Sequence, residues 1–307
     1  MTSPGAVRRW RPAFPLDLWA VLAPLRRGRG DPAFQRVGEV YWLTGNTLGG
    51  PATVALGAHG NEIHARAWGE GADAVLDGLP ALLGGEDDDA GFHPHHPVVG
   101  EMRRRVPGLR LGATRRVWDS LVPAVLEQKV TGYEARRSWR ELCRRFGEPA
   151  PGPAGAAGSL RLRVPPGPAA ILAIPDWEWH RAGVDGARRR TLIAAAGVAH
   201  RLERAAELRG AAGRELLRRV PGIGVWTAAE VAQRAWGDPD AVSVGDLHIP
   251  GIVGQALTGT AVDDAGMLEI LAPYAPQRQR VVRYVEATVG PRPRFAPRFP
   301  VRDYRSI

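Results

Sequence analysis

The stretch Leu216–Pro250, LLRRVPGIGVWTAAEVAQRAWGDPDAVSVGDLHIP, constrains this chain more than any other. Helical spacing stops at Val220, Pro221-Gly222-Ile223-Gly224 makes a tight turn, and helical spacing resumes near Val225 and runs to about Trp236. The reading is a helix, a glycine hairpin and a helix. Glycines at 222 and 224 permit positive φ and remove Cβ atoms that would block a close approach, while the following helix offers free N–H groups at its positive end. A phosphate fits such a place, and the carbonyls of Arg218, Val220 and Ile223 are suited to hold a monovalent cation (Na+ or K+) beside it. Glycine-rich turns are common, so the same residues also read as a plain loop between helices.

The residues downstream favour the first reading. After the second helix a short loop with Gly237, Pro239 and Gly245 leads to Asp246-Leu247-His248, where another helical region begins. An aspartate just after a glycine at a helix start can accept backbone N–H hydrogen bonds while it faces an open groove. A carboxylate then points at whatever the hairpin holds.

Charge is consistent with a polyanionic partner. Lys+Arg number 41 against 32 Asp+Glu, a net charge of +9, so nucleic acid is attracted over a Debye length. An arginine-, alanine- and glycine-rich composition also follows from GC-rich coding, and Lys129 is the only lysine. The single cysteine, Cys143, excludes an internal disulfide framework, a four-cysteine iron-sulfur cluster and a cysteine-rich zinc site. No apolar core of signal-peptide length opens the chain, and no run approaches the length of a membrane span. The expectation is a cytoplasmic, nucleoid-associated monomer.

Residues 1–90 mix signals. A short helix pattern, Leu18–Leu25, precedes strand-like runs at Val37–Thr44, Ala52–Leu56 and Glu62–Trp68, and Ala72–Leu83 is helical again. This predicts a small α+β domain with an antiparallel sheet. The segment 84–96, GGEDDDAGFHPHH, reads as a linker or surface loop; its His93, His95 and His96 suggest a metal site only if a scaffold orders them. From 97 to 289 helices dominate: Arg115–Glu127, Tyr133–Phe146, Pro168–Ile174, Trp177–Ala182, Gly186–Leu208 and Gly213–Val220, with a flexible connector at 149–158. The last stretch, 290–307, alternates Pro, Arg and aromatics and reads as a basic extended tail.

Together, LxxVPGIGxWTAxxV…DPDAxxxxDLHI resembles the motif of the helix-hairpin-helix/Gly-Pro-Asp DNA glycosylase superfamily. Pro107–Gly132, PGLRLGATRRVWDSLVPAVLEQKVTG, looks like the first helices of its DNA-3-methyladenine glycosylase II (AlkA-type) branch. Residues 10–83, beginning WRPAFPLDLWAVLAPL, are similar to that branch's N-terminal TATA-binding-protein-like domain. The resemblance implies an α+β N-terminal domain with an antiparallel sheet, followed by a mostly helical glycosylase domain.

It also implies roles. Asp246 would stabilise the positive charge that develops on deoxyribose during N-glycosidic cleavage and orient the attacking water, with no metal required. Trp226 would stack on a base flipped out of duplex DNA. Bifunctional relatives carry a nucleophilic lysine at that position, so Trp226 implies base release without strand cleavage. Pro221, Gly222, Ile223, Gly224 and Thr227 would meet the DNA backbone. Gln128-Lys129 stands where the family places a glutamine and an apolar wedge that fills the vacated stack. Lysine is a departure there, and so are Glu230, Gln277 and Pro24 at three positions where the family has pocket aromatics. An aromatic cradle is what recognises cationic alkylated purines, and Glu230 offers a carboxylate in its stead. The reading is a monofunctional glycosylase acting on alkylated or otherwise damaged bases in base-excision repair. The alternatives are a non-catalytic lesion-binding protein of the same fold and a glycosylase for deaminated or oxidised bases.

Overall fold

A computed structural model describes residues 5–153 and 160–289. The predicted tail, 290–307, and the second half of the 149–158 connector lie outside the described residues. Period-two alternation builds the first layer. In β3 (Val40–Thr47), Tyr41 and Leu43 are buried; in β4 (Gly50–His59), Ala52, Val54 and Leu56; in β5 (Glu62–Trp68), Ile63, Ala65 and Ala67. Together with β1 (Ala6–Trp10) and β2 (Phe34–Val37) they form an antiparallel sheet of order β1-β5-β4-β3-β2, with Leu43 opposite Val54 and Leu56 opposite Ala65. The inward side chains meet Leu18 and Leu22 of α1 (Leu18–Leu22), Val75 and Leu76 of α2 (Ala72–Asp77) and Leu79 and Leu82 of α3 (Leu79–Leu82).

Two expectations need correction here. β1 was not among the expected strands: its short alternation AVRRW carries only weak apolar signal, and pairing with β5 supplies the rest. The run expected over Val37–Thr44 is the end of one strand and the first five residues of the next, because Gly38 at φ 56° turns the chain back.

The helical part has two cores. One is formed by α5 (Val117–Leu126), α6 (Gly132–Phe146), α7 (Pro168–Leu172), α8 (Asp176–Arg181), α9 (Gly186–Gly197), α10 (Ala199–Leu202), α11 (Ala205–Leu208), α12 (Gly210–Arg218) and α13 (Val225–Ala235). The other brings α4 (Pro97–Arg105) together with α14 (Ile249–Thr258), α15 (Asp264–Leu271) and α16 (Arg278–Thr288). The two ends of the helical half therefore pack on each other, and the chain between α13 and α14 crosses from one core to the other. Among the described residues no helix is long and apolar enough to cross a membrane.

The segment 84–96 is not the free linker its composition suggests. Asp87 accepts hydrogen bonds from the Leu111 amide (3.0 Å) and from two nitrogens of Arg280 (2.5 and 2.9 Å), and that ion pair has side chains only 2% and 0% exposed. Asp89 bridges Arg103 and Arg110, and Phe92 is buried against Tyr274 and Tyr284. Glu86, Asp87 and Asp89 of its acidic run are each paired with arginines from elsewhere in the chain. The histidines diverge: His96 caps α4 through Nδ1, whereas His95 packs edge-on against Tyr274.

The sheet domain is tied to the helical part by buried polar contacts. The Asp31 carboxylate accepts from the Arg27 and Ala33 amides and from Trp139 Nε1 of α6 (2.8 Å). Asn46 donates through its amide and side chain to Asp119 of α5, each at 2.9 Å.

Candidate active site at the hairpin

Ile223 (4% exposed) and Val220 (5%) pin the 220–224 turn to the helical core beneath, while Pro221, Gly222 and Gly224 face solvent. Only one of the two glycines needs positive φ. Gly222 sits at φ 90°, and a Cβ there would lie 3.0 Å from Thr191 Cβ and nearer still to its Oγ1. Gly224 is extended, at φ −90° and ψ −173°, with nothing within 4 Å of where its Cβ would stand. Its lack of a side chain leaves a path to the start of α13. No side chain caps that helix, and the amides of Val225, Trp226 and Thr227 donate to no backbone carbonyl among the described residues. They are oriented donors at the positive end of an eleven-residue helix.

Asp246 stands across from this turn. Gly245, at φ 89°, turns the chain, and the Asp246 carboxylate caps the start of α14: Oδ1 accepts from the amides of His248 (2.7 Å) and Ile249 (3.1 Å). Oδ2 accepts from Trp226 Nε1 (3.0 Å), which reaches over from the first turn of α13. Asp246 is half-buried and bonds to both α13, which packs in the first helical core, and the start of α14, which packs in the second.

Gln128 belongs to the same place. Its Nε2 donates to the Gly222 carbonyl (2.9 Å) and to Thr227 Oγ1 (2.8 Å), so the α5–α6 turn is clamped to the hairpin. Thr227 is 2% exposed and its hydroxyl serves as a tie inside the protein, so what it can offer a backbone phosphate is its amide at the start of α13. Next to Gln128, Lys129 is exposed and takes φ 53°. Arg188 holds the turn from below, donating to the carbonyls of Leu126 and Gly183 and to Asp185.

The three substituted pocket positions have other engagements. Glu230 is paired with Arg234 (2.9 Å) and accepts from Ser243 Oγ (2.6 Å), so it is neither a solvated helix residue nor an unpaired charge. Arg234 donates to the Pro24 carbonyl, and Arg27 pairs with Glu127, so the sheet domain sends two groups to this side of α13. Burial works against the Arg234 charge, yet Glu230, Glu127 and Glu286 outweigh it and hold the guanidinium above its ordinary value. Burial pushes Arg27 the other way, below its ordinary value. Gln277 accepts from Arg280 Nε (2.5 Å) at the start of α16, a segment bound to Pro239 and Asp240. No hydrogen bond joins it to Trp226 or Asp246 among the described residues.

Two features escaped the sequence reading. Leu247, beside Asp246, is 74% exposed, and Val225, beside Gly224, is 47% exposed, so apolar side chains flank the carboxylate and the hairpin on the open side. The four-residue charge cluster Arg27, Glu127, Glu230 and Arg234 draws on three segments. Helical spacing alone relates only Glu230 to Arg234.

No protein-family model matches the chain, and no curated protein matches its sequence. Solved structures do match in shape. A 3-methyladenine DNA-glycosylase from Archaeoglobus fulgidus superposes with a TM-score of 0.76 at 17% identity, over 91% of this chain and 96% of that one. An 8-oxoguanine glycosylase/lyase from Clostridium acetobutylicum gives 0.69 at 10%, over 92% and 99%. The 3-methyladenine DNA glycosylase Mag1 from Schizosaccharomyces pombe, in complex with abasic DNA, gives 0.51 at 16%, over 62% and 91%. At such identities the likeness speaks to architecture alone: this chain shares the fold of these solved DNA glycosylases, and with the Archaeoglobus and Clostridium structures the likeness runs over nearly all of the chain, sheet and helices together.

Proposed function

We propose that the chain is a DNA glycosylase that releases a damaged base by hydrolysis, with Asp246 as its catalytic carboxylate. The observation that carries this is the pairing of an open helix start at Gly224–Trp226 with a carboxylate hydrogen-bonded to that same helix. A phosphate received by the α13 amides brings the neighbouring nucleoside toward Asp246. As the glycosidic bond lengthens, charge develops at the sugar, and a carboxylate held by three N–H donors is in place to meet it without reorganising. Water completes the reaction at the anomeric carbon.

The shared folds include 3-methyladenine DNA glycosylases and an 8-oxoguanine glycosylase/lyase, and the residue at 226 favours hydrolysis here. An indole has no amine to form a Schiff base, and Lys129, the only lysine, lies on the α5–α6 turn. The hairpin carbonyls suit a Na+ or K+ ion: those of Arg218 and Ile223 accept no hydrogen bond among the described residues, and that of Val220 accepts only from Ile223. Such an ion would add positive charge next to the phosphate.

Alkylated bases are the first substrates to test. A second reading, a neutral lesion with hydrogen-bonding edges, is favoured by the engagement of Glu230: its charge is met by Arg234, so it is a poor lure for a cationic base, whereas Ser243, Gln233 and Glu230 form a polar chain. The test is incubation with duplexes carrying 3-methyladenine, 7-methylguanine, hypoxanthine or 8-oxoguanine. Free base and heat-labile abasic sites, with no strand cleavage before heating, support the proposal. Tight DNA binding without release of any base refutes it in favour of a lesion-binding protein.

A further inference from the structure

We infer that Trp226 is a positioning residue for Asp246, acting through its indole N–H as well as through its ring. The inference rests on the glycosylase reading above. Asp246 Oδ1 is fixed by two amides of its own loop, at 2.7 and 3.1 Å. Those bonds leave the second oxygen free to swing toward solvent. Among the described residues the one donor on Oδ2 is Trp226 Nε1, at 3.0 Å. It arrives from α13, whose buried face belongs to the other helical core than that of α14, so it sets the carboxylate plane relative to α13 and not merely relative to the loop that carries it.

The chemistry gives that bond a purpose. A carboxylate that stabilises a sugar cation must present an oxygen at one place, and a misplacement of about 1 Å costs on the order of a hundredfold in rate. Trp226 lies two residues after Gly224 and four before Glu230, so the phosphate receptor, the indole and the carboxylate form one connected line. DNA bound at the hairpin and the group that acts on its sugar are then held in a common frame. An indole whose edge is committed to Asp246 also has a fixed ring plane, so any base that stacks there meets a preset face.

Trp226→Phe separates the two roles, because phenylalanine keeps an aromatic face and lacks the donor. The expected result is affinity for a duplex carrying the lesion on a cleavage-resistant 2′-fluoro sugar within about twofold of the native chain, while single-turnover excision at saturating enzyme falls roughly tenfold to a hundredfold, the range for a hydrogen bond to a charged acceptor. Trp226→Ala should lose both. Independently of activity, the indole N–H signal that disappears from the 15N-correlated spectrum of Trp226→Phe should shift in Asp246→Asn. Excision by Trp226→Phe at the native rate overturns the inference. So does a proportional loss of binding and rate, which assigns Trp226 to stacking alone, and so does an indole signal indifferent to Asp246→Asn. If the native chain itself frees no base from any lesion duplex, the glycosylase reading falls and takes this inference with it, an outcome distinct from an active native chain with an equally active Phe variant.

Discussion

The two hairpin glycines should fail in different ways when each is given a methyl group. In Gly222→Ala the new Cβ must coexist with φ 90° and with Thr191, which is 5% exposed and donates to the Ala187 carbonyl within α9. Positive φ in a residue with a Cβ costs about 1–3 kcal/mol, and displacing a packed, β-branched neighbour costs about 1–3 kcal/mol more. A total of about 2–6 kcal/mol lowers the melting temperature by roughly 4–24 °C in a unit of this size. In Gly224→Ala the backbone is extended and the Cβ meets nothing, so the melting temperature should stay within about 2 °C of native. That Cβ instead stands in the path to the α13 amides, and the loss of one charge-assisted hydrogen bond weakens duplex binding about tenfold. Differential scanning fluorimetry reads the first quantity, and fluorescence anisotropy with an abasic-site duplex at fixed ionic strength reads the second. A Gly224→Ala chain that melts early, or that binds like the native chain, refutes the division of labour between the two positions.

Asp246→Asn should keep its fold and its duplex affinity while excision falls by at least about a hundredfold; quantitation of released base in single-turnover assays decides it, and native-like excision would remove Asp246 from the mechanism. Leu247→Ala should weaken binding to a flipped or abasic nucleotide severalfold without changing the melting temperature, because the side chain is 74% exposed beside Asp246; unchanged affinity in anisotropy titrations would show that the leucine meets no DNA. Asp87→Asn, which leaves the buried Arg280 guanidinium without its counter-charge, should cost about 3–5 kcal/mol in urea unfolding; a cost below about 1 kcal/mol would show that this ion pair does not anchor the 84–96 loop. Asp240 should contribute to the acid limb of stability. Burial pushes its carboxyl up, but Arg278 and then Arg214 outweigh this and hold it below the usual carboxylate range. It therefore binds fewer protons folded than unfolded. Its contribution is present above the unfolded value of about 3.9 and drains away as pH falls through the lower folded value. Asp240→Asn should flatten that limb in unfolding titrations, and an equally steep fall would exclude it.

How legible this molecule is from its sequence depends on whether the deciding interaction is local. The hairpin was legible because a proline, two glycines and two helical periodicities lie within a few residues of one another, and because Ile223 is the one apolar residue among them free to turn inward. The sheet was legible in β3, β4 and β5, where buried residues alternate in long runs, but β1 exists by virtue of β5, more than fifty residues away. The same distinction separates the site residues. Asp246 next to Gly245 is a local pattern. The fate of Gln128 is not: nothing near it in the chain foretells that its amide would bind the Gly222 carbonyl and Thr227. Thr227 and Glu230 occupy helical positions that a resemblance assigns to DNA contact and to the base pocket. Their surroundings are set by partners from the α5–α6 turn, the 241–244 loop and, through Pro24 and Arg27, the sheet domain. A carboxylate acquires its chemistry from the charges that share its burial, and in this fold those charges arrive from segments about one to two hundred residues apart. On the reading proposed above, the residue pattern names the position where a base would be recognised, and whichever of Glu127, Glu230, Arg27 and Arg234 keeps a hydrogen-bonding edge once the cluster has satisfied itself would discriminate among bases.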